Sequence, residues 1–169
     1  GKNINGLATT EESPIVIQTS AVSVPKLLPN VLDHYSNTFK NNKKAQDYLS
    51  TERGLSNPDI YERFKIGYSD GLLPKQDELI QSLKDIGILT EDGYELFYKC
   101  VIFPIEDMDG NTLSIYGRHT EEKTHRYNKG PHKGVFNARV FKASQAIFIT
   151  EAIIDALSLY QVGIREVIS

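Results

Sequence analysis

The feature that most constrains the fold is a short apolar run near the C-terminus that is followed at once by a single carboxylate. Residues 146–150, Ala-Ile-Phe-Ile-Thr, predict a buried strand, and Glu151 comes directly after it. The following residues predict a helix over 152–162 that ends at Gly163, and residues 165–169 predict the start of another strand. We therefore expect a β-α-β unit with two parallel neighbouring strands.

The carboxylate at the end of this strand is the first candidate for chemistry. A buried acid loses hydration energy unless a cation or hydrogen-bond donors meet it. Asp155 follows four residues later, so in a helix over 152–162 the two side chains would lie on one face. Glu151 and Asp155 are therefore candidate ligands of Mg²⁺, which uses one or two protein carboxylates together with substrate phosphates. An alternative needs no metal, because acids in the first turn of a helix are stabilised by its dipole.

Composition limits the class of protein. A length of 169 residues suits one fair-sized domain or two small ones, and 40% hydrophobic and 24% charged residues are ordinary for a globular chain. No apolar run approaches the ~20 residues that span a bilayer, and we recognise no signal-peptide pattern. Cys100 is the single cysteine, so we expect no disulfide and no zinc site in this chain. The expectation is a cytoplasmic protein without a membrane partner.

The charge of the chain is distributed unevenly. The net charge is −3 overall, yet residues 118–142 contain seven Lys and Arg against two acids, a local charge of about +5. Local sign matters more than the total for binding phosphate groups.

The segment from 118 to 134 has no apolar period, and we predict a polar loop there. Its basic, aromatic and amide side chains suit contacts with phosphates, bases or riboses. A solvated lysine-rich loop is the equally simple alternative. The candidate contact residues in this segment are Arg118, Arg126, Tyr127, Asn128, Lys129 and Lys133.

The remaining chain predicts a mixture of helices and antiparallel strands. Asp109-Gly110 is a strong turn signal between two apolar runs and predicts a hairpin, with Arg118 just past its second strand. The prolines and absent helical period of residues 1–29 predict a linker or arm, with a short strand at 15–17. The first helical segment is expected to begin at Asn30 or Ser36 and to end at Arg53, with further helices over 58–64 and 76–86 and a short strand over 65–68.

Four stretches, taken in order, resemble the catalytic core of bacterial DnaG-type DNA primases. Together they cover about 120 residues, and the set is more specific than any single motif. The last one is similar to the first motif of a Toprim domain. The matching stretches are Ala45–Leu55 with Ile60–Tyr68, Val101–Gly110 with Tyr116-Gly117-Arg118, Arg126–Pro131, and Ile149–Leu157.

The resemblance implies a mixed α+β and α/β fold in three parts. Residues 1–29 would be the linker or arm. Residues 30–144 would form the N-terminal subdomain of the primase core, with its antiparallel hairpin. Residues 145–169 would form the first β-α-β of a Toprim fold that the chain leaves truncated.

The resemblance also implies an activity. Primases of this type synthesise short RNA primers on single-stranded DNA from NTPs, and a replicative helicase is an expected partner. Glu151 matches the family's catalytic acid, close to Mg²⁺ or Mn²⁺ ions that a later Asp-x-Asp pair also holds. Arg53, Arg118, Arg126 and Lys129 match residues that contact template or nucleotide. Because no Asp-x-Asp follows Glu151 before Ser169, we expect the metal only in the full-length protein and no activity from the fragment alone.

Departures from the family pattern leave alternatives open. Ala152 replaces a family glycine, and the family's zinc module has no counterpart here. Such looseness favours a divergent primase from a phage, plasmid or mobile element. One alternative is a non-catalytic module that binds single-stranded nucleic acid. Another is a different Toprim enzyme, a nuclease or topoisomerase, although those proteins lack the subdomain that residues 45–68 resemble.

Overall fold

A four-stranded antiparallel sheet and a separate pair of parallel strands organise the chain. The structure is a computed structural model that describes residues 24–169, and none of its described helices is long and apolar enough to cross a membrane. The elements are α1 Val24–Asn41, α2 Lys43–Asp47, a π-helical turn Tyr48–Glu52, α3 Pro58–Arg63, β1 Gly67–Tyr68, a 3₁₀ turn Asp77–Leu79, α4 Ile80–Asp85, β2 Cys100–Glu106, β3 Thr112–His119, β4 His125–Tyr127, a 3₁₀ turn Ala138–Lys142, β5 Phe148–Ile149, α5 Ile153–Gln161 and β6 Val167–Ile168.

The predicted hairpin is confirmed, and it is longer than expected. β2 and β3 pair antiparallel around the Asp109-Gly110 turn. Arg118 lies inside β3 opposite Val101, so its expected place beyond the strand was wrong. Position within a strand fixes the side of the sheet on which the Arg118 side chain lies.

Both faces of β2 are buried. Cys100 and Ile102 pack with Tyr35 of α1 in one cluster, whereas Val101 and Phe103 pack in a second cluster that includes α5. Successive side chains of a strand point to opposite faces, so β2 supplies both cores. The sheet is therefore the middle layer, with α1 on one side and α5 on the other.

The first helix begins earlier than predicted. α1 starts at Val24, so residues 24–29 of the predicted arm are helical. Pro25 lies in the first turn, where the missing N–H costs no helical hydrogen bond. Leu27, Val31 and Tyr35 are buried at four-residue spacing, and this apolar face outweighs the prolines. Residues 1–23, with the predicted strand at 15–17, lie outside the described residues.

The predicted β-α-β unit is confirmed, but the burial of its first strand is not. β5 pairs parallel with β6, and α5 connects them. Phe148 and Ile149 of β5 are 56% and 79% exposed, whereas Val167 and Ile168 of β6 are buried. An apolar run predicts a buried strand only where other elements cover its two faces, and within residues 24–169 this strand pairs with β6 alone.

Glu121, in the turn between β3 and β4, forms ion pairs that connect this turn to α2. The Glu121 carboxylate pairs with the ammonium groups of Lys44, in α2, and Lys99. Hydrogen bonds from these two lysines lower the pKa of Glu121 from its ordinary 4.5 to about 2. The pairing holds β4 in place beside β3.

Candidate functional site

A cleft of about 470 Å³ opens between the antiparallel sheet and the C-terminal β-α-β unit. Its walls come from β3, β4, the loop after β4, and the connection between β5 and α5. Four of the residues predicted from the sequence line it, namely Glu151, Arg118, Tyr127 and Lys133. The other five, Arg53, Arg126, Asn128, Lys129 and Asp155, are absent from its lining.

Glu151 lies just ahead of α5, at the carboxyl end of β5. Ala152 is extended, with φ −129° and ψ 145°, and the helix begins at Ile153. The predicted helix start at 152 was therefore one residue early, and Glu151 is not one helical turn from Asp155. The Glu151 side chain is exposed to the cleft and forms no ion pair within the described residues.

Arg118 reaches the cleft from β3 and is half-buried. Its guanidinium lies near the phenol groups of Tyr48 and Tyr116. Burial lowers the pKa of Arg118, but the attraction of those two phenols outweighs burial, and the pKa is raised. The Tyr48 hydroxyl is buried, although it makes no hydrogen bond of good geometry to any described residue. Arg118 is thus a half-buried cation at the cleft wall.

Arg53 lies outside the cleft lining and contacts Tyr48. It is exposed at the end of the π-helical turn, with its guanidinium carbon 5.0 Å from the centre of the Tyr48 ring. Such an Arg–aromatic contact orients the guanidinium. Arg53 therefore contacts Tyr48, a neighbour of Arg118, and is absent from the cleft lining that contains Glu151.

A hydrogen bond to its backbone carbonyl group holds Lys133 at the cleft. Ser114 Oγ, in β3, donates a 2.6 Å hydrogen bond to the Lys133 carbonyl oxygen. This bond attaches the loop after β4 to the cleft wall. The exposed Lys133 side chain adds a second cation to the wall that already carries Arg118.

The basic segment is not a simple loop, because β4 forms within it. Arg126 pairs with Gly117 in β3, and its Nη1 donates to the Leu96 carbonyl oxygen at 3.0 Å. Burial raises the pKa of Cys100 to about 11, with the nearby charge of Arg126 opposing the rise. Arg126 therefore lies on the Cys100 side of the sheet, away from Tyr127.

Asn128 and Lys129 make structural contacts outside the cleft. Asn128 Oδ1 accepts a 2.7 Å hydrogen bond from the Ile115 N–H, which extends the pairing of β3 and β4 through a side chain. Lys129 Nζ lies 3.3 Å from a Glu91 carboxylate oxygen in an exposed ion pair. Contacts of Arg126, Asn128 and Lys129 with nucleic acid stay predictions.

Three further residues line the cleft and were missed from the sequence. Tyr116 projects from β3, His125 begins β4, and His132 follows in the loop. The cross-strand pairs Tyr116↔Tyr127 and Arg118↔His125 bring them together. A two-residue period over 116–118 and 125–127 was the available signal.

The described residues hold few groups for a metal ion. No set of three or more His, Cys, Asp or Glu side chains between residues 24 and 169 is arranged to hold one. Glu151 is the carboxylate in the cleft lining, and Asp155 is exposed on α5 outside it. Asp155 therefore does not line the cleft with Glu151, and the Glu151–Asp155 metal pair stays a prediction.

Solved structures place the fold in the class of primase catalytic cores. The DnaG catalytic core matches 86% of this chain and 53% of its own, with a TM-score of 0.73 at 23% identity. The Aquifex aeolicus primase, solved with its zinc-binding and RNA polymerase domains, matches 86% of this chain and 41% of its own, with a TM-score of 0.69 at 25% identity. The mixed fold predicted from the sequence is confirmed.

Comparison of the sequence with known families and relatives identifies the family of this chain. Residues 34–147 match the family described as DNA primase catalytic core, N-terminal domain, and the chain belongs to that family. The DNA primase of Haemophilus influenzae is 30% identical over 161 residues, and the match covers 82% of this chain and 27% of that protein. The Escherichia coli K12 DNA primase is 32% identical over 143 residues, covering 72% of this chain and 24% of its own length. The chain thus spans about a quarter of these relatives, and an origin in a phage or mobile element stays a prediction.

Proposed function

We propose that this chain contributes one wall of the active site of a DNA primase, a nucleotidyltransferase that makes RNA primers on single-stranded DNA. The observation that carries the proposal is the cleft, which collects Glu151, Arg118 and Lys133 on different elements. One solved primase core with the same fold is bound to single-stranded DNA, and we extend that ligand to this chain. The unit β5-α5-β6 is then the opening of a Toprim domain.

The cationic residues of the cleft bind phosphate oxygens in this proposal. Arg118 can present two parallel N–H groups to a phosphate, and its partial burial keeps the interaction less screened than at an open surface. Lys133 supplies a second, more mobile charge from the loop. Phosphoryl transfer depends mostly on positioning and charge neutralisation, which is the chemistry that these side chains offer.

Glu151 is the residue that would hold the divalent cation. Its carboxylate faces the cleft, forms no ion pair within the described residues, and can share Mg²⁺ or Mn²⁺ with substrate phosphates. The bound ion would neutralise charge on the transferring phosphate. The remaining ligands, the NTP-binding groups and any helicase contact belong in this proposal to the longer primase polypeptide.

The salt dependence of DNA binding tests the cleft. Each phosphate contact on a single strand contributes about −0.7 to the slope of log K against log salt. We expect Arg118→Ala to weaken binding of the chain to a single-stranded oligonucleotide and to reduce the slope by about 0.7 in magnitude. Fluorescence anisotropy titrations at several salt concentrations measure both.

A charge-matched variant controls this measurement. Lys75 is exposed, and its ammonium donates to the Gly93 carbonyl, away from the cleft. Lys75→Ala removes the same charge and should leave the slope unchanged. If Arg118→Ala and the unaltered chain had equal slopes, Arg118 would not contact a phosphate of the bound strand.

Primer synthesis tests the catalytic part of the proposal. In the full-length primase, Glu151→Gln keeps the size of the side chain but removes the charge that holds the cation. Since loss of metal stabilisation costs several kcal/mol, we expect primer synthesis to fall by about 100-fold or more. Labelled-NTP incorporation on a single-stranded template, titrated with Mg²⁺, is the measurement.

Asp155→Asn is the comparison for that experiment, because Asp155 carries a carboxylate on the same unit outside the cleft. We expect it to retain most of the activity. Full activity in Glu151→Gln would contradict the catalytic role. Strong DNA binding without primer synthesis in the unaltered protein would favour the non-catalytic binding module.

A further inference from the structure

Four aromatic rings form a continuous cluster along the cleft wall. Tyr127 and His132 stack with ring centres 3.9 Å apart and planes at 25°. Tyr116 and His125 stack at 5.7 Å and 27°. An edge contact at 5.2 Å between Tyr116 and Tyr127 joins the two stacked pairs. We call these four residues the ring cluster.

Strand pairing and loop geometry hold the ring cluster together. Tyr116 and Tyr127 are directly opposite each other in the β3–β4 ladder. Directly opposed aromatic pairs on one face of a sheet attract each other, so the two rings are preferred neighbours. The Ser114–Lys133 hydrogen bond fixes the loop next to His132. The rings are thus organised before any ligand arrives.

The ring cluster combines exposure with neighbouring cations. Tyr116 and Tyr127 are partly buried, whereas His125 and His132 are exposed. Arg118 and Lys133 line the same cleft. A groove that combines cations with exposed ring faces is the arrangement that binds single strands, because cations track the backbone and rings stack on the bases.

The ring cluster has a fourth contact. The rings of His125 and Tyr127 meet edge-on, with centres 6.2 Å apart and planes at 88°. Tyr116 therefore contacts two rings that also contact each other, and these three rings form one packed wall.

We propose that His132, supported from behind by Tyr127, is a stacking platform for a nucleobase of the bound single strand. The inference rests on the proposed function, because it assigns the base-contacting residue of the same cleft. One face of the His132 ring lies against Tyr127, and the opposite face is the one that a base would cover. Arg118 and Lys133 then hold the adjoining phosphates.

An abasic oligonucleotide separates base stacking from phosphate contact. The 169-residue chain is titrated with a single-stranded oligothymidylate and with an abasic strand of equal length at one salt concentration. Stacking needs the base, whereas phosphate binding does not. We expect the base-bearing strand to bind about tenfold more tightly, which lies within the range that one stacked base contributes.

Two substitutions at one position identify the platform. His132→Ala should reduce the tenfold preference to about twofold and leave the salt slope unchanged. His132→Phe keeps a ring against Tyr127 and should retain the preference. Tyr94, which is 72% exposed and does not line the cleft, provides the matched control, since Tyr94→Ala removes an exposed ring elsewhere and should change nothing.

The outcomes distinguish this inference from the proposed function. If the unaltered chain binds both strands equally, the stacking role of His132 is wrong, whereas phosphate binding in the cleft is still supported. An equal loss in His132→Phe and His132→Ala also overturns it, because the imidazole rather than a ring would be required. Failure to bind either strand overturns the proposed function itself. Thermal unfolding of each variant verifies that the exposed substitution leaves the fold unchanged.

Discussion

Gly87→Ala is expected to lower the free energy of unfolding by about 2–4 kcal/mol. Gly87 ends α4 with φ +71°, and a Cβ there would lie 2.2 Å from the Lys129 amide nitrogen and 2.6 Å from the Lys129 Cβ. A side chain in the left-handed region costs about 1 kcal/mol, and forcing extra volume into a packed contact typically adds 1–3 kcal/mol. Denaturant unfolding measured by circular dichroism determines the change.

Gly54→Ala separates the two causes. Gly54 has nearly the same φ, +69°, but a Cβ there would meet nothing within 4 Å. We expect this variant to lose only the backbone contribution, about 1 kcal/mol. If both variants lost the same amount, the contact with Lys129 would carry no energy, and the close approach of α4 to the end of β4 would not matter for stability.

Glu95→Ala is the second substitution with a large expected effect, about 4 kcal/mol. The Glu95 carboxylate is 5% exposed and accepts hydrogen bonds from Tyr35 Oη at 3.2 Å, Ser69 Oγ at 2.5 Å and the Leu73 N–H at 2.8 Å. Alanine would leave these three buried donors unpaired, and each unsatisfied donor costs about 1–3 kcal/mol. The same unfolding measurement applies.

Ser69→Ala is the matched comparison, because it removes one donor and leaves the acid with two. We expect a loss of about 1 kcal/mol. A Glu95→Ala variant as stable as Ser69→Ala would mean that water replaces the missing carboxylate. That result would contradict the expectation that stability depends on the Glu95 carboxylate, which accepts hydrogen bonds from Tyr35 of α1 and from the 69–73 segment.

The elements with local signals were predictable from the sequence. The β2–β3 hairpin has its turn signal between two apolar runs, and the helix over Pro58–Arg63 has Asn57 as its N-cap with proline in the first turn. Such signals depend on neighbouring residues alone. The unit β5-α5-β6 was found for the same reason, because its apolar runs and Gly163 lie close together in sequence.

The elements that depend on distant partners could not be predicted. β4 is three residues long, polar, and formed because β3 offers it an edge. The loop prediction for residues 125–127 was wrong, because β4 forms there and places the Arg126 and Tyr127 side chains on opposite faces of the sheet. The same register brings Tyr116 to Tyr127, so the ring cluster depended on pairing that a single sequence does not reveal. Glu151 was a candidate from its place at the end of a predicted strand and Arg118 from the basic segment, and the family resemblance supported both.

The exposed apolar strand β5 has a practical consequence for handling the isolated chain. Phe148 and Ile149 present two large hydrophobic side chains beside backbone groups that, within residues 24–169, pair only with β6. Open apolar strand edges are templates for intermolecular pairing. We expect self-association at high protein concentration to begin at this edge. DNA binding is therefore best measured at low protein concentration, where self-association does not compete with ligand binding in the cleft.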